Sequence, residues 1–227
     1  MRGPLFLVAL AAGCQEQPAA GEERLRVSQQ VDFGDIAGLG PHRMEASITR
    51  TDRVEGQPQR AREDQTRVTW SSWDDFTLLR LSDGEERARF EASGGRGRMS
   101  KPDGAMHEVD DLEPLRLELR QAWDVWDPFL GSLRDCIAYT YEGQALIEGR
   151  LANRYSVSIA PAAAEPVART VPELIEGTLW IDEASGVRLM ADVSTRWHRR
   201  GHEGQVREAH LILVRTDFGV LGGGPVP

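Results

Sequence analysis

The sequence predicts a mainly β (α+β) protein: a large curved antiparallel sheet, a half-barrel of about 9–11 strands, with a short helical lid on the concave face. Two observations lead to this prediction. From about residue 43 onward, apolar and polar residues alternate with a period of two, which is typical of strands with one dry and one wet face. Residues 111–133 instead show the three-to-four spacing of an α-helix. Because a long twisted sheet curls, the single helical region is its natural cover.

Five segments carry the alternation, and their apolar residues predict the dry face of the sheet. These residues are Met44, Ala46 and Ile48; Val68 and Trp70; Ala88, Phe90 and Ala92; Tyr155, Val157 and Ile159; and Val187, Leu189, Ala191 and Val193. In the last segment, the intervening Arg188, Met190, Asp192 and Ser194 are predicted to face water. No helix-length segment separates most of these strands, which argues against parallel βαβ units.

Short turn signals between the segments predict hairpins, because glycine and short polar residues tolerate the backbone of tight turns. They are Ser82-Asp83-Gly84, Pro102-Asp103-Gly104, Glu142-Gly143 and Ala184-Ser185-Gly186. Residues 161–173 are rich in proline and alanine, and we expect a loop that crosses between strands there.

The helical region reads DLEPLRLELRQAWDVWDPFLGSL. Asp111 is placed to cap its start, and Pro114 lies in the first turn, where the missing N–H is harmless. Asp127-Pro128 is expected to end this helix and to begin a second short one that runs through Leu133.

The N-terminal residues predict a bacterial lipoprotein. Arg2 precedes an uncharged, mostly apolar run that is too short to span a bilayer. Small residues then precede Cys14 in a pattern that resembles a lipobox, whose cysteine is acylated; an ordinary cleaved signal peptide is the alternative. We therefore predict a signal peptide at 1–13, a lipidated N-terminus and flexible tether at 14–30, one β domain at 31–218 and a flexible tail at 219–227.

Charge and cysteine content narrow the possible functions. The formal net charge of −9 argues against a nucleic-acid partner, whose phosphates require clustered cations. Cys136 is the only thiol of the predicted domain, so an internal disulfide is not expected. We predict that Cys136 is a small buried apolar residue.

No motif for catalysis or cofactor binding stands out. A nucleophile elbow, a phosphate-binding loop and a zinc-protease helix motif are all missing from the sequence. His198 and His202 lie within HRRGH, where two arginines between them predict a solvated turn rather than a metal site. The prediction is a protein that is not an enzyme, with no catalytic residue, metal or cofactor.

The curled sheet and its helix together predict an apolar trough beneath residues 111–133, which has room for acyl chains if side chains fill it only in part. The predicted lining residues are Trp70, Phe90, Leu115, Leu119, Trp123, Trp126, Tyr155, Val157, Leu189 and Val193. The alternative is that these side chains fill the trough as an ordinary core.

The segment EGTLWIDEASGVRLMADVSTRW, residues 176–197, resembles a hairpin of the LolA/LolB and LppX-type family of envelope lipoproteins and lipoprotein carriers. The matching residues are Gly177, Trp180, Ile181, Asp182, Ser185 and Gly186. TWSSWDDFTLLRLSDGE and GRLANRYSVSI resemble earlier strands of the same family. The resemblance implies a curved half-barrel with helices on a concave, lipid-binding face. Residues 24–36 show no helical stripe, and the arginine that holds the family's lid is not assigned to a position.

These features together predict a membrane-anchored bacterial envelope lipoprotein that binds lipid, or the acyl chains of lipoproteins, in an apolar trough. Gln15 after the cysteine resembles the signal for the outer membrane, so the expected location is the outer membrane, facing the periplasm. The alternative is a structural or sensory envelope lipoprotein that has a filled core and binds protein partners.

Overall fold

A computed structural model of the chain describes residues 33–100, 104–161 and 169–219. Eleven strands form one antiparallel sheet, which is curved and does not close into a barrel. The predicted mainly β half-barrel is therefore confirmed. The predicted signal peptide, Cys14 and almost all of the tail lie outside the described residues, and the domain boundaries stay predictions.

The strands follow one another along the chain with short connections in most places. They are β1 His42–Val54, β2 Arg60–Ser72, β3 Asp75–Ser82, β4 Glu85–Ser93, β5 Arg96–Ser100, β6 Met106–Val109, β7 Ile137–Ile147, β8 Arg150–Ile159, β9 Thr170–Asp182, β10 Arg188–Arg199 and β11 His202–Thr216. The helices are α1 Phe33–Ala37, α2 Glu113–Trp123, α3 Trp126–Leu130 and a 3₁₀ helix Gly131–Cys136.

The order of the strands explains why the helices cover the sheet. The order is β6-β5-β4-β3-β2-β1-β11-β10-β9-β8-β7, so two meanders meet where β1 pairs with β11. β6 and β7 are the two outer edges, and the chain between them contains α2, α3 and the 3₁₀ helix. A flat sheet of this size would be about 48 Å wide. The helical connection crosses from one edge to the other over the concave face, and we call residues 113–136 the lid.

Local signals in the sequence account for the start of each lid helix. A carboxylate oxygen of Asp111 accepts a hydrogen bond from the N–H of Glu113 at 2.9 Å, and Pro114 occupies the first turn. Asp124 Oδ1 accepts the N–H of Trp126 at 3.1 Å where α3 begins. The predicted helical region is confirmed, with Pro114 in its first turn, although Asp111 lies one position before the N-cap residue Leu112. The prediction that Asp127-Pro128 ends the first helix is wrong. α2 ends at Trp123, and both residues lie in the first turn of α3, where proline is tolerated.

The core lies between the lid and the concave face of the sheet. The predicted dry-face residues of β1, β2 and β10 are buried in one hydrophobic cluster, which continues into the inner face of α2 and α3. Cys136 is also buried there, as predicted, and burial raises the pKa of its thiol. The alternation of the sequence therefore identified the side of the sheet on which the core forms.

Besides the end of α2, three local predictions are wrong, and the predicted turn at Pro102-Asp103-Gly104 lies largely outside the described residues. The expected loop 161–173 already contains strand at Thr170, because Pro172 sits at a register shift of β9, where a strand tolerates proline. Gly143 is not in a turn; it has a φ of +119° and forms a bulge inside β7. A short helix, α1, occupies residues 33–37, where no helical stripe was detected, and buries Ile36.

The hairpin motif of residues 176–197 has a structural basis. Gly177 has a φ of +147°, and a Cβ atom there would overlap the carbonyl oxygen of Asp192 on β10. Asp182 is buried and binds Arg150 through both carboxylate oxygens, at 2.8 and 3.0 Å. Burial alone would raise the pKa of Asp182, but hydrogen bonds from Arg150 and Ser185 outweigh it and lower the pKa. Gly177 therefore allows β9 and β10 to approach closely, whereas Asp182 ties the end of β9 to Arg150 on β8 and to Ser185 in the hairpin turn.

Candidate ligand-binding site beneath the lid

All ten residues predicted to line a ligand cavity are buried, none more than 6% exposed, and they belong to one cluster. Four come from the lid and six from the sheet. The lid residues are Leu115, Leu119, Trp123 and Trp126; the sheet residues are Trp70, Phe90, Tyr155, Val157, Leu189 and Val193. The structure thus brings the ten together on the concave side, where their contact with a ligand stays a prediction.

An aromatic cluster packs the end of α2 against the sheet. The ring of Trp123 lies 5.4 Å from that of Trp70 and 5.5 Å from that of Trp73, both edge-on. On its other side it stacks on His42, with 6.0 Å between the ring centroids. Edge-to-face pairs at such distances each contribute about 0.5–1.5 kcal/mol beyond burial. This cluster fixes one end of the lid.

Two cavities lie beside the junction of α2 and α3, and Asp124 and Val125 line both. The first has a volume of about 50 Å³ and lies between the lid and β10–β11. The second, of about 230 Å³, lies beside the lid over β1–β3, with Ile48 among its lining residues. Both are smaller than the roughly 300–1,000 Å³ of typical ligand pockets. Neither cavity is large enough for a whole lipid.

Arg215 is a buried cation that bridges the sheet and the lid. Its Nη2 donates to the carbonyl oxygen of Trp123 at 2.9 Å, and its Nε donates to the carbonyl oxygen of Arg188 at 3.0 Å. Burial lowers the pKa of Arg215 to about 9, against the opposing attraction of Asp124. The guanidinium is still charged at neutral pH, so its hydrogen bonds to the lid are charge-assisted.

His42 is neutral and provides a hydrogen-bond acceptor for Arg215. Burial, assisted by the charge of Arg215, lowers the pKa of His42 to about 4. Arg215 Nη1 lies 3.1 Å from His42 Nε2, and His42 Nδ1 lies 2.8 Å from the carbonyl oxygen of Gly40. Since guanidinium only donates, we assign the proton to Nδ1, which donates to Gly40 and leaves Nε2 as the acceptor.

Arg188 is the second buried cation, and a β-bulge places it inside. The register of β9 and β10 shifts between Arg188 and Met190, so Arg188 and Leu189 are both buried. The guanidinium lies 5.6 Å above the ring of Trp126, and its Nη1 is 3.5 Å from Asp124 Oδ1. The prediction that Arg188 faces water is therefore wrong, because strict alternation fails at a bulge.

Arginine side chains fasten α2 to the sheet. Besides Arg215, Arg80 Nη2 donates to the carbonyl oxygen of Glu118 at 3.3 Å, and Arg116 Nε donates to that of Trp73 at 3.2 Å. Within the three described ranges, no backbone–backbone hydrogen bond joins residues 113–130 to a strand. Residues 113–130 are therefore held by apolar packing and side-chain bonds, which can be exchanged without breaking the sheet. The end of the lid is fixed differently, since the carbonyl oxygen of Cys136 accepts the N–H of Ala160, directly after β8, at 2.8 Å.

Sequence reasoning missed the polar part of this site. Arg215 shares the phase of the buried Leu211 and Leu213, and this was a usable signal for a cation on the dry face. For Arg188 no such signal existed, since the bulge is a property of strand pairing. His42 begins β1, and 172 residues separate it from Arg215 in the chain, so their contact is visible only in the fold.

The remaining chemistry-bearing residues of the described chain do not form a second centre. No group of three or more His, Cys, Asp or Glu among the described residues could hold a metal ion. His198 lies in β10 and binds Glu173 at 2.8 Å, Arg200 and Gly201 form the turn, and His202 begins β11. No helix in the described part of the chain is long and apolar enough to cross a membrane.

The fold and the site together define a curved β half-barrel closed by a helical lid, which is the architecture that the LolA/LppX resemblance implies. No protein-family model matches the chain, and no curated protein does either. Among solved structures, the lipoprotein LppX of Mycobacterium tuberculosis matches with 13% identity, 86% of this chain and 94% of that chain covered, and a TM-score of 0.31.

Two further solved structures are similar in the same way. A LolA superfamily protein from Nitrosomonas europaea has 8% identity, coverage of 90% and 94%, and a TM-score of 0.24. A structure of the Pseudomonas aeruginosa MucA/MucB complex has 16% identity, coverage of 92% of this chain and 59% of that chain, and a TM-score of 0.24. LppX and the LolA superfamily are what the hairpin motif resembles.

Proposed function

We propose that this chain is a bacterial envelope lipoprotein, anchored through acylated Cys14, that binds acyl chains of a lipid or of another lipoprotein between its sheet and its lid. Its place is the outer membrane, facing the periplasm. It acts by binding and not by catalysis. The single observation that carries the proposal is the lid: an apolar inner face that packs across the concave sheet and is tied to it by arginine side chains.

The free energy of exposing the lid's apolar side chains is similar to that of burying an acyl chain, which supports this proposal. The lid buries seven large apolar side chains, and exposing them at about 2 kcal/mol each costs about 14 kcal/mol. They are Leu115, Leu119, Trp123, Trp126, Phe129, Leu130 and Leu133. An acyl chain of about 16 carbons, at about 0.8 kcal/mol for each buried methylene, returns a similar amount when it takes their place. A lid held mainly by apolar packing is therefore nearly balanced against a bound acyl chain. The small cavities beneath the lid correspond to its closed state.

The polar contacts of the lid suit such an exchange. The guanidinium groups of Arg80 and Arg215 reach the lid backbone at Glu118 and Trp123. When the lid moves, these groups can turn to other acceptors, while the hydrogen bonds between strands are kept. The sheet then acts as a rigid frame and the lid as the moving part.

The test uses the chain from residue 14 onward with Cys14→Ser, which keeps every described residue. The purified protein is incubated with a lipid extract of bacterial envelopes, re-isolated and examined by native mass spectrometry, and uptake of a fluorescent fatty acid is titrated. We expect co-purified lipid and saturable uptake. Protein that carries no lipid and takes up no fatty acid would contradict the proposal.

Two leucines of α2 give a matched pair of variants. Leu119 is fully buried on the inner face, whereas Leu117 is 51% exposed on the outer face. Leu119→Arg should lower uptake at least tenfold, because it places a charge where the acyl chain lies, and Leu117→Arg should not change it. If Leu119→Arg does not fold, Leu119→Ala is used in its place. It should alter the affinity for the fluorescent fatty acid, whereas Leu117→Ala should not.

A second function has a specific observation in its favour. On the outer face of the sheet, a groove of about 460 Å³ is lined by Ile212 and Val214, with Glu63 and Arg67 among its polar residues. Ile212 is 44% exposed and lies beside Val214 in this groove, which gives the outer face an apolar contact surface. This favours a structural or sensory lipoprotein that has a filled core and docks a protein partner on its outer face.

The variant Ile212→Arg distinguishes the two proposed functions. Ile212→Arg should abolish a complex with an envelope protein if the outer groove is the working surface, and should leave fatty-acid uptake unchanged. Native mass spectrometry of the wild type and of this variant separates the two cases. A lipid-free wild type that loses a protein partner on Ile212→Arg would favour the second function.

A further inference from the structure

The buried cavity of about 50 Å³ contains a hydrogen-bond donor without a partner. Arg188 lines this cavity with Arg215 and Asp124, and only 7% of its surface is exposed. Its Nη1 is directed at Asp124, but its Nε is buried and has no hydrogen-bond partner in the described part of the chain. A buried donor of a charged group that lacks an acceptor costs free energy, so a bound acceptor is expected there.

The charges around the cavity are unbalanced toward positive. Arg188 and Arg215 are both buried, His42 is neutral, and Asp124 is the carboxylate that lines the cavity. Asp124 also caps α3, and 35% of its side chain is exposed to water. Asp127 lies farther out on the lid and forms an ion pair with Arg134 at 2.9 Å. One lining carboxylate therefore faces two buried guanidinium groups.

We infer that the cavity beneath the α2–α3 junction binds an oxyanion, a carboxylate or a phosphate, through Arg188 Nε and the positive charge shared with Arg215. A cation is excluded by the two guanidinium groups. An oxyanion fits because guanidinium binds carboxylate and phosphate by parallel N–H···O bonds from one edge of its planar fork. The volume suits the charged end of a ligand and not a whole lipid.

This inference deepens the proposed function and rests on it for the source of the anion. The cavity adjoins the inner face of the lid through Trp123 and Trp126, so an anion held at Arg188 would direct an attached acyl chain along the apolar trough. The ligand class is then an amphiphile with an anionic head and an apolar tail. A free anion would use the same donors without any tail.

The experiment compares ligands that differ only in the head. Hexadecanoate and hexadecanol are titrated against the chain from residue 14 onward with Cys14→Ser, with inorganic phosphate and acetate as separate probes. The ¹⁵N resonance of the Arg188 Nε–H group, assigned by its loss in Arg188→Lys, reports binding at the atom itself. We expect hexadecanoate to bind about 10–100-fold more tightly than hexadecanol and to shift this resonance.

The variants separate this site from a general charge effect. Arg188→Gln should remove the preference for hexadecanoate, whereas Arg154→Gln, which removes an exposed arginine paired with Glu142, should preserve it. If Arg188→Gln does not fold, two other measurements test the anion site: the shift of the Arg188 Nε–H resonance in the wild type and the affinity of Arg188→Lys for hexadecanoate. Lysine keeps the charge but lacks the fork, so it should bind hexadecanoate less tightly.

The outcomes distinguish this inference from the proposed function. Equal binding of hexadecanoate and hexadecanol, with no shift of the Arg188 Nε–H resonance, would refute the anion site and leave acyl binding intact. A shift caused by phosphate or acetate alone, with no binding of either long-chain probe, would support the site with a free anion as its source and would contradict acyl binding. If no probe binds or shifts the resonance, both ideas fail.

Discussion

The neutral state of His42 makes a quantitative prediction about stability and pH. In the unfolded chain its pKa is about 6.5, and in the folded protein burial and the nearby Arg215 lower it to about 4. The unfolded state therefore binds the proton first as the pH falls. The resulting stability is fully present above pH 6.5 and is lost progressively between pH 6.5 and pH 4.

The magnitude follows from the two pKa values. One pKa unit corresponds to about 1.36 kcal/mol, so the difference is worth about 3 kcal/mol below pH 4. At pH 5, where the folded protein still keeps His42 neutral, the loss relative to pH 7.5 is about 2 kcal/mol. This is a large share of the about 5–15 kcal/mol by which domains are stable.

The assay is urea unfolding followed by tryptophan fluorescence at pH 7.5 and pH 5. The wild type should lose about 2 kcal/mol more than His42→Gln between these pH values, because glutamine can accept from Arg215 but does not titrate. His210→Gln is the control, since His210 lies on the outer face and pairs with Asp192 at 2.8 Å. Equal losses in the wild type and in His42→Gln would refute the assignment of a neutral, buried His42.

Two further substitutions test the β9–β10 hairpin. Gly177→Ala should destabilise the fold by about 3 kcal/mol, because of the backbone conformation there and the overlap of the added Cβ with the neighbouring strand. Gly204→Ala is the control and should cost under about 1 kcal/mol. Similar urea midpoints for the two variants would contradict the close approach of β9 and β10 at Gly177. Asp182→Asn should destabilise the fold by about 3 kcal/mol in thermal unfolding, because it leaves the partly buried Arg150 without its charge partner. Asp217→Asn removes an exposed ion pair and should cost under about 1 kcal/mol in the same assay. An Asp182→Asn protein as stable as the wild type would show that this pair does not hold the hairpin.

Much of the fold could be predicted because it depends on neighbours in the chain. The alternation in β1 identified Met44, Ala46 and Ile48 as buried, and all three are. The three-to-four spacing of residues 111–133 identified Leu115 and Leu119 as the inner face of a helix, and both are fully buried. Such patterns depend only on the period of a single helix or strand, so they can be read from the residues of that element alone.

The apolar part of the candidate site was predicted for the same reason, and its polar part was not. Trp123 and Trp126 belong to the amphipathic pattern of the lid, and they line the buried cavity. Arg188 follows the polar phase of β10 and should point outward. It points inward because the bulge against β9 adds one residue to the local register.

By itself, the sequence determined the class of fold, the dry face of the five segments that alternate and the position of the lid, because these follow from periodicity along the chain. Only the tertiary structure decided which distant residues meet: His42 reaches Arg215 because β1 pairs with β11, and Arg215 reaches Trp123 because the lid crosses from one edge of the sheet to the other. Strand pairing and burial are properties of the whole sheet. The charged centre beneath the lid is therefore a product of topology, built from residues that carry no common signal in the chain.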